Sequence, residues 1–442
     1  MRRPVLVVNT TIQPFTTSPP TQVDVLRCQI PTELNGLIVR QHPKNATLNP
    51  GDFVDSDGVV HLECSKNNKE FPSLVCKNGT FEPKFPECKA VCDPRLLEGL
   101  STKYHVYSEN GKSIDKDVLY RHGIPVGSII DIACAPGFKM PHPKWPEDGT
   151  KKQTLKCLEN GTFDRKREKC EMDCGRPLPE ALDLTMNGVR TEPNKVPWHV
   201  AIYKMEKGTG VYICGGSIIT PSLILSAAHC FYESSEGRLL SRNQFKFIAG
   251  NHQRAYSNLQ RNETQSRSAS KISIPGNFTG LATKNFADIA LIKLNSPFSF
   301  NEFVLAICYE PPSHTNQDVV HSNVVGIVTG YNDQDDKLEL VQMTTEGYNE
   351  CKYHDFIKDT LAEDKFCLHN NVFSGLCPGD SGGSFAKEKD ERFNILGIIS
   401  LTPSTENGCA RKGYVAVTNV KYMRPDLYDT LRIEWQEDYL RF

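Results

Sequence analysis

From Cys174 onward, short runs rich in Ile, Val and Leu alternate with turns rich in Gly, Pro, Asn and Ser. The runs Gly215–Thr220, Ile289–Leu294, Val324–Val328, Ile395–Leu401 and Val415–Val420 have the length and the β-branched content of buried strands. The pattern predicts an all-β fold of the barrel type. The last stretch has another period. Leu427, Leu431, Trp435 and Tyr439 recur every four residues, which predicts a closing helix that docks one apolar stripe on the barrel. Residues 9–22 are rich in Thr, Ser and Pro with little to bury, an extended linker without a core. No apolar run is long enough to cross a membrane.

The first 173 residues read differently because their apolar runs are punctuated by cysteine. Cys28, Cys64, Cys76 and Cys88 are followed by Cys92, Cys134, Cys157 and Cys170, and the closing stretches match: Cys76-Lys-Asn-Gly-Thr-Phe81 against Cys157-Leu-Glu-Asn-Gly-Thr-Phe163. Each unit is too small to stand on one apolar core without staples. The 442-residue chain holds 16 cysteines in all, an even number spread along its length. That count suits eight disulfides in an oxidising, extracellular compartment. Metal binding by these cysteines has no Cys-x-x-Cys pair to support it, so neither metal nor cofactor is expected. Six Asn-x-Ser/Thr sequons, at Asn9, Asn45, Asn78, Asn160, Asn262 and Asn277, agree with secretion and glycosylation. Met1 to Val8 carry too short an apolar run for a signal peptide, which points to an N-terminally truncated chain.

Charge excludes more than it suggests. The formal net charge is −2, with 38% hydrophobic and 24% charged residues, and neither the N-terminal nor the C-terminal part has an excess that would argue for nucleic acid or a membrane surface as partner. The run Arg165-Lys166-Arg167 reads as a solvated loop rather than a processing site.

The chemistry lies in three contexts. Cys377-Pro-Gly-Asp-Ser381-Gly-Gly-Ser384 sets a serine among glycines, where backbone N–H groups can approach an oxyanion. Taken alone it is an ordinary turn. Upstream, however, stand Ala227-Ala-His229-Cys230 and Asp288-Ile-Ala-Leu291, giving a base, an orienting acid and a nucleophile in the order His, Asp, Ser.

Two family resemblances follow from these residues. The repeats resemble sushi (complement control protein) modules, with Gly127–Phe138 similar to that family's central strand and turn, and with Phe81 and Phe163 where most members have tryptophan. The resemblance implies the pairs Cys28–Cys76, Cys64–Cys88, Cys92–Cys157 and Cys134–Cys170, which sequence alone does not fix. Such modules bind proteins or surface glycans, or serve as spacers. The chain from about residue 185 resembles the chymotrypsin-like serine proteases, with further landmarks at Val196-Pro-Trp198, Cys214-Gly-Gly-Ser217 and Gly397-Ile-Ile-Ser400. That resemblance implies two six-stranded β-barrels flanking a cleft and followed by the helix. It implies Ser381 as nucleophile, His229 as base and then acid, Asp288 as orienting acid, and the N–H groups of Gly379 and Ser381 as oxyanion hole. It implies the disulfides Cys214–Cys230, Cys351–Cys367, Cys377–Cys409 and Cys174–Cys308. The Ser400 hydroxyl would support the aspartate at the edge of the substrate pocket.

Specificity and activation are read by the same comparison. The pocket floor falls on Gly375, where Arg/Lys-specific relatives carry an aspartate, and Thr402 makes the pocket shallower; cleavage after medium apolar residues is expected. Activation would free a new N-terminus to pair with Asp380. Counting back from Val196-Pro197 puts the bond at Leu184–Thr185, to within a residue or two, and a site after leucine suits self-cleavage. The loop from Gly250 lacks the first acid of a calcium site.

The expected layout is a linker over 1–27, modules over 28–88 and 92–170, an activation linker over 171–184 and the protease over 185–442. This arrangement resembles the arthropod modular serine proteases, which initiate haemolymph immune cascades. It implies a downstream protease zymogen as protein substrate and an upstream recognition protein held by the modules, and it allows a serpin-type inhibitor. A complement-type protease with another target and a non-catalytic adaptor are the rival readings.

Overall fold

The computed structural model describes residues 27–66, 69–141, 152–177, 189–190, 195–256, 263–310, 320, 322–331, 336–354, 357–358, 361–369, 379–402, 404–405, 408–409, 414–422 and 425–441. Asn9, Leu184, Thr185, Asn262, Gly375 and Cys377 lie outside the described residues. The chain divides into two compact units. One comprises the residues up to Arg95 with 106–130 and 156–165; the other comprises 96–105, 131–155 and everything from Lys166. The division runs through the second cysteine repeat.

In the first unit, the strands Leu37–Gln41, Ala46–Leu48, Val59–Cys64, Lys69–Lys77 and Thr80–Glu82 form one antiparallel sheet. Ile30, Val39, Val54, Val60, Leu62, Leu74 and the disulfide Cys28–Cys76 fill its small core, and Cys64–Cys88 staples one end. Phe81 is buried in that core, edge-on to Phe85. Its counterpart Phe163 is only half-buried, so the two repeats fill the same slot to different depths. The repeat also carries a helix that the sequence did not announce, Lys116–His122, whose cap Asp115 accepts the N–H of Asp117.

In the second unit, Cys134–Cys170 and the strands Phe138–Lys139 and Glu171–Met172 lead into the body of the domain. Cys174–Cys308 pins that approach, and Arg392 donates to the carbonyl of Cys174 and pairs with Asp173 at 2.5 Å. Arg167, expected on a solvated loop, is half-buried and donates to the carbonyls of Leu97 and Glu98 and to Thr102 Oγ1. All three contacts converge on its Nη1, which makes the side chain a structural clamp.

Two closed barrels dominate the domain. In the first, the strands Phe245–Ala249, His199–Glu206, Thr209–Thr220, Leu223–Ser226 and Ala290–Leu294 pair in that order. The segments Gln265–Arg267 and Ala269–Ser273 act as one interrupted strand that pairs with the first at one end and the last at the other, closing the ring. In the second, Leu338–Glu346, Val325–Tyr331, Ser384–Lys389, Arg392–Leu401, Val415–Asn419 and Lys365–His369 follow one another, and Lys365–His369 returns to pair with Leu338–Glu346. Both rings are antiparallel and six-stranded, as the resemblance implied. Every apolar run expected to be a strand lies in one of them. The helix Pro425–Arg441 closes the described chain, with Leu427 and Leu431 buried in the first barrel's core and Trp435 packed beside Tyr309.

Candidate active site

Three loops converge where the barrels meet. His229 lies on the 3₁₀ turn Ala228–Phe231, directly after the strand Leu223–Ser226, and Cys214–Cys230 ties that turn to the neighbouring strand. Asp288 enters from a tight turn in which Lys284, Asn285 and Ala287 all have left-handed φ, between 52° and 59°. Ser381 follows Gly379 and precedes Gly382, whose φ values are 110° and 84°. Gly382 has no substitute here: a Cβ on it would come within 2.3 Å of Gly215 O and of Ser226 Oγ. The absence of a side chain lets Ser381 C=O take the Gly215 N–H at 2.8 Å and brings the serine beside the histidine turn.

Asp288 is wholly buried and fully used. One carboxylate oxygen accepts the backbone N–H of His229 at 2.9 Å. The other lies 2.7 Å from His229 Nδ1 and accepts the Ser400 hydroxyl at 2.5 Å. Burial pushes the Asp288 carboxyl up, but the facing His229, the nearby Lys365 and the Ser400 hydroxyl outweigh it and hold the group below the usual carboxylate range. Burial likewise pushes His229 down, and the Asp288 charge and hydrogen bond overcome it, so the imidazole titrates above its ordinary 6.5, with Lys365 opposing. The Nδ1 contact holds the ring and leaves Nε2 for a proton from outside the pair. Among the described residues no hydrogen bond joins Ser381 to Nε2. The N–H groups of Gly379 and Ser381 also make no hydrogen bond among the described residues.

Asp380 is buried, and its Oδ1 accepts the Tyr331 N–H at 3.0 Å. It rests against Gly330, where any Cβ would collide with the carboxylate. Thr402 is half-buried at the end of the strand that carries Ser400. Asn45, Asn78, Asn160 and Asn277 are exposed. Cys351–Cys367 joins the Tyr348–Cys351 helix to the second barrel. The sulfurs of Cys214 and Cys230, beside His229, are bonded to each other, so this grouping of ligand-type residues offers no thiolate to a metal. In the loop from Gly250, Arg254 pairs with Asp336 at 2.8 Å.

Sequence reasoning missed one feature near the site. Behind the Asp288 turn lies a buried ion pair, Asp364 and Lys365, 3.3 Å apart. The strand Lys365–His369 reads as an apolar run opened by a charge, and nothing in that pattern says the charge faces inward.

The trypsin family description, Trypsin, matches residues 185–424, more than half of the chain. The chain belongs to the trypsin family. That family is the one of the chymotrypsin-type serine endopeptidases. Among curated relatives, the modular serine protease of Drosophila melanogaster is 28% identical over 380 residues, covering 83% of this chain and 58% of that protein. Limulus clotting factor C of Carcinoscorpius rotundicauda is 28% identical over 278 residues, 59% of this chain and 26% of that protein. The urokinase-type plasminogen activator of Gallus gallus is 26% identical over 257 residues, 55% of this chain and 56% of that protein. The chain thus spans little more than half, or less, of the length of these relatives. Among the described residues no helix is long and apolar enough to cross a membrane.

Proposed function

We propose that the chain is the disulfide-stapled, secreted zymogen of a serine protease that activates itself after Leu184 and then cleaves a downstream protease zymogen in an innate-immune cascade. The observation that carries the catalytic part is the Asp288–His229 pair, 2.7 Å apart, with Ser381 beside it on a glycine cradle. In this reading His229 Nε2 takes the Ser381 proton as Oγ attacks the scissile carbonyl. Asp288 stays ionised and stabilises the imidazolium, and the N–H groups of Gly379 and Ser381 receive the oxyanion. His229 then returns the proton to the leaving amine, and water repeats the cycle on the acyl-enzyme.

The likeness to the Drosophila modular serine protease over most of the chain supports the cascade role, and the disulfides among the described residues support an oxidising, extracellular setting. The repeats at 28–88 and 92–170 are read as sushi-like modules that hold a recognition partner, ahead of an activation linker and the protease. Gly375 at the pocket floor and Thr402 on its wall give a preference for apolar P1 residues, since a cation there would lack a charge partner. Asp380 receives the new N-terminus at Thr185. The Cys174–Cys308 bond keeps the modules attached after the cut.

Incubating wild type and Ser381→Ala and sequencing the N-termini that appear tests the scheme. Wild type is expected to expose Thr185 and to acquire fluorophosphonate labelling at Ser381, while the alanine variant stays intact. Equal cutting of both variants would refute self-activation. A P1 substrate panel in which Arg is hydrolysed faster than Leu would refute the pocket assignment.

A further inference from the structure

The turn that delivers Asp288 to His229 makes local backbone hydrogen bonds through the N–H groups of Asn285, Phe286 and Ile289, but not through the Asn285 carbonyl or the Ala287 N–H. Ala287, a residue with a Cβ, sits in left-handed backbone immediately before the aspartate, at φ 59°. The buried amide oxygen of Asn285 finds no hydrogen-bond partner. The turn's inward peptide groups are received instead by the second barrel. Lys365 Nζ donates to the Asn285 carbonyl at 2.8 Å and to Thr418 Oγ1 at 3.1 Å. Asp364 Oδ2 accepts the Ala287 N–H at 2.8 Å. The pair is fixed in turn by its own strand: Lys365 is paired with Thr418 in the sheet, and the Asp364 carbonyl takes the Asn419 N–H at 2.9 Å. Asp364 is 1% exposed and Lys365 is 2% exposed.

A buried ion pair is weak evidence for stability, because well-packed apolar side chains of similar volume often do as well. What such side chains cannot do is receive one carbonyl and one N–H of a strained turn, or set a cation beside a catalytic carboxylate. We propose that Asp364 and Lys365 are positioning residues of the protease: they clamp the Asn285–Ala287 turn so that Asp288 meets the backbone N–H and Nδ1 of His229, and they couple the charge of the second barrel to the catalytic pair. The proposal rests on the catalytic reading of His229, Asp288 and Ser381. The charged groups that face one another here are His229, Asp288, Asp364 and Lys365, with the Ser400 and Thr418 hydroxyls completing the shell. The electrostatics agree with the geometry, since Lys365 helps hold Asp288 ionised and opposes the protonation of His229.

The test uses the full chain after activation, with turnover counted per fluorophosphonate-labelled site so that inactive molecules drop out. Lys365→Met leaves a buried carboxylate, so the charge-neutral double variant Asp364→Asn/Lys365→Met accompanies it. The double variant is expected to lose about tenfold to a hundredfold in kcat with KM within about twofold of wild type, the pattern of a displaced catalytic group and an intact substrate pocket. Lys365→Met is expected to move the acid limb of kcat/KM upward by ~0.5 pH unit, because the cation no longer opposes the imidazolium. A purely structural role would not move that limb. A double variant with kcat within about twofold of wild type overturns the proposal. An acid limb in Lys365→Met that stays or moves down overturns it as well. Ser381→Ala, incubated alongside and assayed per mole of chain because it has no serine to label, keeps the two readings apart: turnover close to wild type there would unseat the triad itself, whatever the Lys365 variants do.

Discussion

The first cysteine module and the catalytic barrels solve the same problem with different materials. The module surrounds Cys28–Cys76 with a few apolar side chains, Ile30, Val39, Val54, Val60, Leu62 and Leu74, and the sulfur bridge is part of the core itself. The barrels bury a large set of Ile, Leu, Val and Phe and can therefore also bury the charged Asp288, Asp364, Lys365 and Asp380 and the polar imidazole of His199. A small core cannot carry such a load, because each unpaired buried charge costs several kcal/mol. The difference separates a part built to persist from a part built to hold reactive groups in place.

The largest loss is expected at the carboxylate of Asp288. Asp288→Asn keeps the shape of the turn but reverses the hydrogen-bonding preference at His229 Nδ1, so kcat is expected to fall about 10⁴-fold at neutral pH. Thermal unfolding of the same variant should change far less. If turnover fell only a fewfold, the burial of this charge would have no catalytic purpose.

Next comes the staple. Removing Cys28–Cys76 by paired serine substitutions frees a loop with a sequence separation of 48. Chain entropy then costs the module about 4 kcal/mol, enough to unfold most domains of its size. Limited proteolysis should find the module cut, while kcat of the activated protease on a small substrate stays as in wild type. A matching loss of kcat would mean that the two regions do not stand independently.

How much of this was legible in the sequence follows the same division. Strands, the closing helix and the triad contexts could be read because each rests on a local pattern: period, turn chemistry, or a nucleophile among glycines. The module pairings came from resemblance, and the structure joins Cys28–Cys76, Cys64–Cys88, Cys92–Cys157 and Cys134–Cys170 in that way. What could not be read was which charges turn inward. Lys365 opens an apolar run and His199 sits inside one, and sequence spacing does not report that the Asn285 carbonyl or the Thr329 hydroxyl, from the opposite barrel, waits for them. Arg167 looked solvated for the same reason: its partners Leu97, Glu98 and Thr102 are about 70 residues away. The half-burial of Phe163 against the full burial of Phe81 likewise depends on tertiary packing that an identical Gly-Thr-Phe motif does not encode.

His199 is a second group that the barrel core buries and the module core could not. Burial pushes its imidazole down to about 4, with Nδ1 facing Thr329 Oγ1 at 3.3 Å and no partner for Nε2. A histidine depressed in the fold contributes stability above its unfolded value near 6.5, and that contribution is lost as pH falls toward 4. The protease domain should therefore weaken between those values by about 3 kcal/mol from this residue. In His199→Gln the acid slope of the melting temperature should flatten by that amount, while the first module's unfolding keeps its wild-type pH dependence. An unchanged slope would mean that the barrel admits water to this site.

The smallest effect concerns the two histidines together, because the same burial acts on both and only one faces a carboxylate. At His229 the Asp288 charge and hydrogen bond outweigh desolvation and raise the imidazole above 6.5. The protonated ring cannot take the Ser381 proton, so kcat/KM should fall away on the acid side at a pH above the ordinary histidine value. The linkage has the opposite sign to that of His199: the His229–Asp288 pair adds stability below pH 6.5, and that addition is lost as pH rises through the raised value. In Asp288→Asn the residual activity should have its acid limb below 6.5, since burial and Lys365 then act without opposition. A limb that stays above 6.5 in that variant would assign the titration to another group and leave the catalytic barrels with no charge that their burial serves to tune.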